Sequence, residues 1–249
     1  MTHTVAIITG ASRGLGAALA FGLAREGTHL ITFARNLHPE LARHALAQGC
    51  QLEEHTVDLS HPMAMQAAAA RMAIAMPRNA QRYLLINNAG TLGPVGPAGL
   101  QPAEQIAAAF NVNVTAAMVL TGHFLQATEG LTANRRILHI SSGAARRPTA
   151  SWSVYCASKA ALDMHARTVK LEQGPHGARI VSLAPGVIDT PMQAGIRATP
   201  SQDFPDLARF QALHDEGKLA TPEATAARVL AYLERDDFGA TEVDDIRHY

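Results

Sequence analysis

The sequence predicts an α/β protein with one domain, built on a Rossmann-type, doubly wound parallel sheet of about seven strands with helices on both faces. Short β-branched runs that are apolar on both sides alternate with longer helical patterns, which is typical of a parallel sheet covered by helices. No linker or internal repeat interrupts this alternation over the 249 residues. We therefore expect a single domain at 1–249, with ligands beyond the carboxyl ends of the strands.

The first part of the chain predicts three strands and two helices. An apolar run at 5–9 ends in glycine and predicts the first strand, and a helical pattern follows at about 15–25. A second apolar run at 30–33 predicts the next strand. A helix at about 39–47 and a short strand at 52–57 follow it.

The middle of the chain continues the same alternation. An alanine-rich stretch at about 62–75 predicts a helix, and the continuous apolar run at 83–86 predicts a strand buried on both faces. A long helical region at about 103–127 then leads to a strand at 136–140.

A helix at 153–172 and a strand at 179–183 complete the regular pattern. The stretch 191–219 is the expected substrate lid, because two prolines and a glycine interrupt its helical pattern, as is usual in a segment that closes over a site. Four side chains offer this lid an apolar surface: Met192, Phe204, Leu207 and Phe210. For Leu207 and Phe210 we favour packing in the core.

Composition excludes several classes of function. The 21 basic and 21 acidic residues cancel, so the chain has no electrostatic signature of binding to nucleic acid or to a charged membrane. Two cysteines make no disulfide framework, and twelve histidines lack metal-ligand spacing, so we expect no metal. The first residues do not resemble a signal peptide, and no uninterrupted apolar stretch reaches membrane-spanning length. These features predict a cytoplasmic protein.

A glycine-rich loop points to a dinucleotide. Gly10, Gly14 and Gly16 lie where the first strand passes into the first helix. Glycine permits a tight turn and close approach of the backbone to a pyrophosphate, and the N-terminus of the helix supplies free N–H groups and a favourable dipole. Because the strand–turn–helix context is present, we favour a cofactor site over a glycine turn without a ligand.

Charged residues around this loop favour NADP(H). A carboxylate at the end of the second strand would favour NAD, whereas this chain has Arg35 and Asn36 there and Arg13 inside the loop. Two guanidinium groups suit a ribose 2′-phosphate. Asp58 follows the third strand and offers an acceptor to the adenine amino group, although a capping or turn role is nearly as plausible.

Tyr155 and Lys159 are the candidate catalytic residues. They lie one helical turn apart and so share a face of the predicted helix. An ammonium beside a phenol stabilises the phenolate, so the pair suits protonation of a carbonyl oxygen while a reduced nicotinamide delivers hydride.

Taken in order, these motifs resemble the short-chain dehydrogenase/reductase family along essentially the whole chain. The glycine loop, Asn87-Asn88-Ala89-Gly90, Asn113, Ile140-Ser141-Ser142 and Pro185-Gly186 all match family elements. Thirteen residues separate Ser142 from Tyr155, the family's usual spacing, which favours Ser142 over Ser141.

The resemblance implies a role for each residue. Tyr155 is the expected proton donor, Lys159 holds the nicotinamide ribose and lowers the pKa of Tyr155, and Ser142 orients the substrate carbonyl. Asn113 is expected to hold, through its helix backbone, a water that links Lys159 to solvent. The implied cofactor-binding set is Gly10, Ser12, Arg13, Gly14, Leu15, Gly16, Arg35, Asn36, Asp58, Leu59, Asn88, Ala89, Gly90, Tyr155, Lys159, Pro185, Gly186, Val187, Thr190 and Met192.

Longer stretches resemble the sepiapterin reductase subfamily, which reduces carbonyls on the side chain of a pterin and anchors the pterin through a carboxylate near the C-terminus. Asp244 falls near that place, with Asp245 as its rival and a solvated acidic tail as a third reading. The expected substrate-binding set is Ser142, Trp152, Tyr155, Gly186, Met192 and Asp244.

Several alternatives stay open at the level of sequence. Proteins resembling the same subfamily include reductases of benzil and other vicinal diketones, which need an apolar pocket and no anchoring carboxylate. A dehydrogenase working in the oxidising direction would use the same residues. A non-catalytic NADP(H)-binding regulator is a weaker alternative, because such proteins commonly lose the tyrosine or the lysine. The resemblance also implies a homodimer or homotetramer formed through helices 103–127 and 153–172.

Overall fold

The computed structural model describes residues 2–249 and contains a sheet of seven parallel strands in the order β3-β2-β1-β4-β5-β6-β7. The strands are β1 (Thr4–Thr9), β2 (Thr28–Ala34), β3 (Gln51–Thr56), β4 (Arg82–Asn87), β5 (Asn134–Ile140), β6 (Arg179–Ala184) and β7 (Val243–Asp245). The predicted doubly wound parallel sheet is confirmed.

Nine α-helices accompany the sheet within the described part of the chain. They are α1 (Gly14–Leu23), α2 (Leu41–Ala47), α3 (Pro62–Ala75), α4 (Ala103–Phe110), α5 (Ala116–Ala127), α6 (Ser153–Gln173), α7 (Pro191–Arg197), α8 (Leu207–Asp215) and α9 (Pro222–Glu234). Each strand and helix expected as far as β6 is present, with ends within two residues of the prediction, except that the region 103–127 is divided. A π-helical turn at Asn111–Thr115 separates α4 from α5.

Two hydrophobic layers cover the sheet. On one face α1 and α9 pack together over β1, β4 and β6, with Leu19, Val229 and Tyr232 among the buried side chains. On the other face α3, α5 and α6 cover the sheet, with Met72 and Phe124 fully buried. Since both faces are covered, the central strands are apolar throughout, as the sequence indicated.

The strand order places the site. The chain runs outward from β1 through β2 to β3 and then returns to the other side of β1 with β4. The crevice at this reversal lies beyond the carboxyl ends of β1 and β4, where doubly wound sheets bind ligands. The glycine loop follows β1 and the segment 88–90 follows β4, so both predicted cofactor motifs meet at this crevice.

By length and mean hydropathy the helical segment Ala103–Ala127 would suffice to cross a membrane, although polar residues such as Glu104 and Asn111 interrupt it. In this fold 44% of its apolar window is buried. Its buried residues include Leu120 and Phe124, which pack in the layer that covers the sheet.

Candidate active site

A cavity of about 1330 Å³ opens along the carboxyl ends of the strands. Most of the predicted site residues line it, from Gly10 and Arg35 at one end to Trp152 and Met192 at the other. Four do not: Gly14, Asn36, Asn113 and Asp244. Gly14 begins α1 beside Thr190, and Asn36 is exposed after β2. The other two are described below.

The glycine loop is shaped for close approach by a ligand. Gly10 has a φ of +74°, and a Cβ on Gly16 would lie 2.2 Å from the Gly10 carbonyl oxygen, so neither position accepts a side chain. Asn88 braces the loop from β4, because its Nδ2 donates to the carbonyl oxygens of Thr9 (2.9 Å) and Gly10 (3.2 Å). A rigid, side-chain-free cradle at a helix N-terminus fits the pyrophosphate of a dinucleotide.

Three charged residues line this end of the cavity. Arg13 and Arg35 are exposed, line the cavity and form no ion pair within residues 2–249. Asp58 lines the same region, and its Oδ1 accepts a hydrogen bond from the backbone N–H of Ser60 (2.9 Å). That bond, followed by one from the Ser60 side chain, lowers the pKa of Asp58, so the carboxylate is held ionised.

Tyr155 and Lys159 are both buried on one face of α6 and line the cavity. Lys159 Nζ donates to the carbonyl oxygen of Ile140 (2.8 Å) and lies 5.7 Å from the centre of the Tyr155 ring. Burial lowers the pKa of Lys159 to about 8, and the neighbouring Asp163 acts in the opposite direction.

Burial raises the pKa of Tyr155 and outweighs the opposite effect of a hydrogen bond with the Ser142 hydroxyl. Tyr155 therefore retains its proton at neutral pH, which suits a proton donor. The expected lowering of this pKa by Lys159 stays a prediction.

Ser142 and Asn113 flank this pair in different ways. Ser142 lines the cavity, and its Oγ accepts a hydrogen bond from the Ala144 backbone N–H (3.1 Å). Asn113 lies in the π-helical turn behind the wall, where its Nδ2 donates to the Thr91 carbonyl oxygen (2.9 Å) and to Ser158 Oγ (3.0 Å). A Cβ on Gly90 would lie 3.4 Å from Asn113 Oδ1 and 3.5 Å from Lys159 Nζ, so both side chains border the same space.

Sequence analysis missed a buried network around Asp163, one turn beyond Lys159. Asp163 Oδ1 accepts hydrogen bonds from Ser141 Oγ and Ser182 Oγ (both 2.7 Å), and Oδ2 accepts one from Arg146 Nε (3.2 Å). The carboxylate thus joins α6 to the ends of β5 and β6. The i, i+4 spacing from Lys159 was the one signal available in the sequence.

The substrate end of the cavity has an aromatic wall. Trp152 lines it and stacks almost parallel on Phe204, with ring centres 5.1 Å apart. Phe210 also lines the cavity, contrary to the preference for core packing, whereas Phe204 and Leu207 pack behind. Leu92 and Val95, from the loop after β4, complete the apolar lining and were not foreseen.

Asp244 lies outside the cavity lining. Its Oδ2 accepts hydrogen bonds from the hydroxyls of Tyr232 (2.9 Å) and Tyr249 (2.7 Å), and the carboxylate is buried away from the cavity. Burial alone would raise the pKa of Asp244, but these hydrogen bonds outweigh it and hold the group ionised. In this structure Asp244 therefore does not line the cavity, and its role as an anchor stays a prediction.

Asp245, its rival, does line the cavity. However, the Arg247 side chain donates two hydrogen bonds to the Asp245 carboxylate, from Nε to Oδ1 (2.8 Å) and from Nη2 to Oδ2 (2.5 Å). Neither acidic residue therefore presents a free carboxylate.

Comparison with known proteins decides the family. The family model described as short chain dehydrogenase matches residues 4–201, which include the glycine loop, Ser142, Tyr155 and Lys159. The chain belongs to the short-chain dehydrogenase family.

Two relatives resemble this short-chain dehydrogenase over almost their whole length. Benzil reductase ((S)-benzoin forming) from Bacillus cereus is 37% identical over 240 residues, covering 95% of this chain and 96% of the relative. Sepiapterin reductase from Rattus norvegicus is 36% identical over 247 residues, covering 94% and 92%.

Solved structures agree with the fold. A short-chain dehydrogenase from Burkholderia cenocepacia in complex with NADP has a TM-score of 0.75 at 28% identity, covering 96% of this chain and 94% of that one. A short-chain dehydrogenase/reductase from Burkholderia vietnamiensis has a TM-score of 0.67 at 36% identity, covering 99% and 100%. This short-chain dehydrogenase is thus an oxidoreductase with a site for NAD(P).

No group of three or more His, Cys, Asp or Glu side chains in residues 2–249 is placed to hold a metal ion. The hydroxyls of Tyr155 and Ser142 and the Lys159 ammonium line one part of the cavity. Together they can polarise a carbonyl oxygen and move a proton to or from it.

Proposed function

We propose that this protein is an NADPH-dependent carbonyl reductase whose substrates are apolar vicinal diketones of the benzil type. The observation that carries the proposal is the character of the substrate end. Trp152 and Phe210 form an aromatic wall beside Tyr155, while the carboxylates of Asp244 and Asp245 are engaged by Tyr232, Tyr249 and Arg247. The likeness to a benzil reductase points the same way.

The residues present support the chemistry as follows. NADPH, when bound, supplies the hydride that reduces the carbonyl carbon. Ser142 orients the carbonyl oxygen, and Tyr155, which retains its proton because its pKa is raised, donates that proton to the oxygen. The product is a hydroxyketone. Lys159, held by the Ile140 carbonyl, would bind the nicotinamide ribose of the cofactor and would place positive charge near the tyrosinate that forms.

Preference for the phosphorylated cofactor rests on Arg13 and Arg35. Both guanidinium groups line the cofactor end, both are free of ion pairs within the described residues, and no carboxylate follows β2. Arginine binds phosphate in a bidentate fork, so the pair suits a ribose 2′-phosphate.

The decisive experiment follows NADPH oxidation by the purified protein with benzil, a second vicinal diketone and sepiapterin, each repeated with NADH. We expect efficient reduction of the diketones with NADPH and much slower rates with NADH. If the protein reduces none of these carbonyls, the proposal is contradicted. The alternatives are then an alcohol-oxidising enzyme or a non-catalytic regulator.

Reduction of a carbonyl on a pterin side chain is the second candidate function. It is supported by the likeness to sepiapterin reductase and by the position of Asp245 in the cavity lining. Sepiapterin turnover that exceeds benzil turnover and collapses in Asp245→Ala would favour it. Equal sepiapterin rates in Asp245→Ala and the parent would remove Asp245 as an anchor.

We also propose a cytoplasmic homodimer, with a homotetramer as the alternative. The support is an apolar surface on α5 and α6, where Met118, Met164 and Leu171 are 46%, 58% and 83% exposed. Exposed apolar patches of this kind mark protein interfaces.

A further inference from the structure

The backbone directly before Trp152 is held in an unusual conformation. Ser151 has a φ of +69° and is the only residue other than glycine with positive φ in residues 2–249. Its carbonyl oxygen accepts a hydrogen bond from the Gly96 N–H (3.0 Å), and Trp152 N–H donates to the Thr149 carbonyl oxygen (3.2 Å). Such a conformation persists only where the surroundings impose it, and it is concentrated at functional sites. The loop therefore fixes the direction in which Trp152 leaves the backbone.

The indole of Trp152 lies between the lid and the catalytic tyrosine. Phe204 and Phe210 from the lid segment are 5.1 Å and 5.2 Å from it, centre to centre, and Tyr155 packs edge-on at 5.6 Å. Only 6% of Trp152 is exposed. The ring thus separates the lid from the groups that act on the carbonyl.

The indole N–H of Trp152 has no hydrogen-bond acceptor. Trp152 Nε1 is buried and has no hydrogen-bond partner within the described residues. A buried tryptophan N–H ordinarily has an acceptor, because leaving one unpaired is unfavourable. The apolar side chains clustered with the ring, including Leu92, Val95 and Ile196, offer it none.

A vicinal dicarbonyl has the acceptor that this site lacks. Tyr155 and Ser142 engage the oxygen of the carbonyl that is reduced, and the second oxygen stands on the adjacent carbon. We propose that the lid rings, which stack on the indole in this structure, move aside when the substrate binds, and that Trp152 Nε1–H then donates a hydrogen bond to this second oxygen. The proposal rests on the proposed diketone reductase function and makes Trp152 the residue that distinguishes a dicarbonyl from a simple ketone.

A matched pair of substrates tests this directly. Benzil and deoxybenzoin share a skeleton and differ by one carbonyl oxygen. In Trp152→Phe, which keeps an aromatic ring and removes the N–H, the ratio of kcat/KM for benzil to that for deoxybenzoin should fall about tenfold, the usual value of one neutral hydrogen bond. Phe204→Leu, which removes the stacking ring and keeps the N–H, should lower both rates by the same factor.

A binding measurement keeps the proposal testable if Trp152→Phe does not fold. Trp152 is the single tryptophan of the chain, so its indole N–H gives one signal in a spectrum of the ¹⁵N-tryptophan-labelled enzyme. With NADP⁺ present to prevent turnover, benzil should move this proton downfield and deoxybenzoin should leave it near its starting position.

The outcomes separate the two proposals. Two results would overturn the role of Trp152 alone, provided that the parent enzyme reduces benzil. One is an unchanged ratio of kcat/KM for benzil to that for deoxybenzoin in Trp152→Phe. The other is an equal shift of the indole signal by both ligands. Absence of benzil turnover in the parent enzyme would overturn the diketone function and the Trp152 proposal with it.

Discussion

At the scale of single residues, Tyr155 is the proton donor that the proposed reduction requires. Burial raises the pKa of this phenol, so the group keeps its proton at neutral pH. A protonated phenol can donate to a carbonyl oxygen while hydride reaches the carbon. The same oxygen, as phenolate, accepts a proton when an alcohol is oxidised, so the cofactor and substrate supplied set the direction, and Tyr155 serves both.

Tyr155→Phe removes the donor and leaves the aromatic packing against Trp152 in place. We expect kcat to fall by about 100- to 10,000-fold, the usual contribution of a positioned general acid. The dissociation constant for NADPH, measured by quenching of protein fluorescence, should change little. Turnover near the parent rate would show that another group donates the proton.

The second prediction at this scale concerns Arg13 and Arg35. The double variant Arg13→Ala/Arg35→Ala should lose most of the preference for NADPH over NADH, roughly tenfold or more for each charged hydrogen bond removed. The ratio of kcat/KM for the two cofactors is the readout. Arg43→Ala, on the exposed surface of α2, is the matched control. An unchanged ratio in the double variant would contradict the assignment of the 2′-phosphate site.

At the scale of elements, α6 carries both the proposed catalytic pair, Tyr155 and Lys159, and a carboxylate that ties the helix to the sheet. Asp163 is bound by Ser141 at the end of β5, by Ser182 in β6 and by Arg146. Its negative charge also opposes the lowering of the Lys159 pKa by burial. Burial, more than any neighbouring charge, lowers the pKa of the nearby His139 to about 3. This imidazole therefore stays neutral at the pH where Lys159 titrates.

Asp163→Asn should therefore move the alkaline limit of activity to lower pH. The Lys159 ammonium is lost as pH rises through its pKa of about 8, and removal of the carboxylate that favours the cation lowers that pKa further. In the pH profile of kcat, the fall in activity on the alkaline side should therefore begin at a lower pH. Glu172→Gln, on the exposed surface of the same helix, should leave the profile in place; an unshifted profile in Asp163→Asn would refute the electrostatic role.

At the scale of the whole molecule, the apolar surface of α5 and α6 predicts association. Met164→Glu places a charge on this surface, which should convert the proposed dimer to monomers because a buried unpaired charge is strongly unfavourable in an interface. Sedimentation velocity gives the readout. Met63→Glu is a matched control, because Met63 is 88% exposed on α3, and it should leave the mass unchanged. A parent protein that sediments as a monomer would remove the proposal altogether.

The sequence predicted those parts of this molecule that depend on local pattern. The strands as far as β6, the glycine loop and the Tyr155–Lys159 pair follow from periodicity and spacing, and all are present. The position of the Asp244 carboxylate could not be predicted, because it is set by Tyr232, eleven positions before β7, and by Tyr249 beyond it. Such contacts leave no trace in a local pattern. The strand β7 itself has only three residues, too few to show any period.

The π-helical turn at Asn111–Thr115 has a consequence for deletions in this segment. Such a turn contains one residue more than a regular helix, and each residue added or removed rotates everything beyond it by about 100°. The insertion lets Asn113 face Thr91 while Leu120 and Phe124 still face the sheet. A chain with one of these five residues deleted has to sacrifice one of the two orientations. Deletion of one residue from this segment should therefore disturb either the Asn113 contact with Thr91 or the packing of α5 on the sheet.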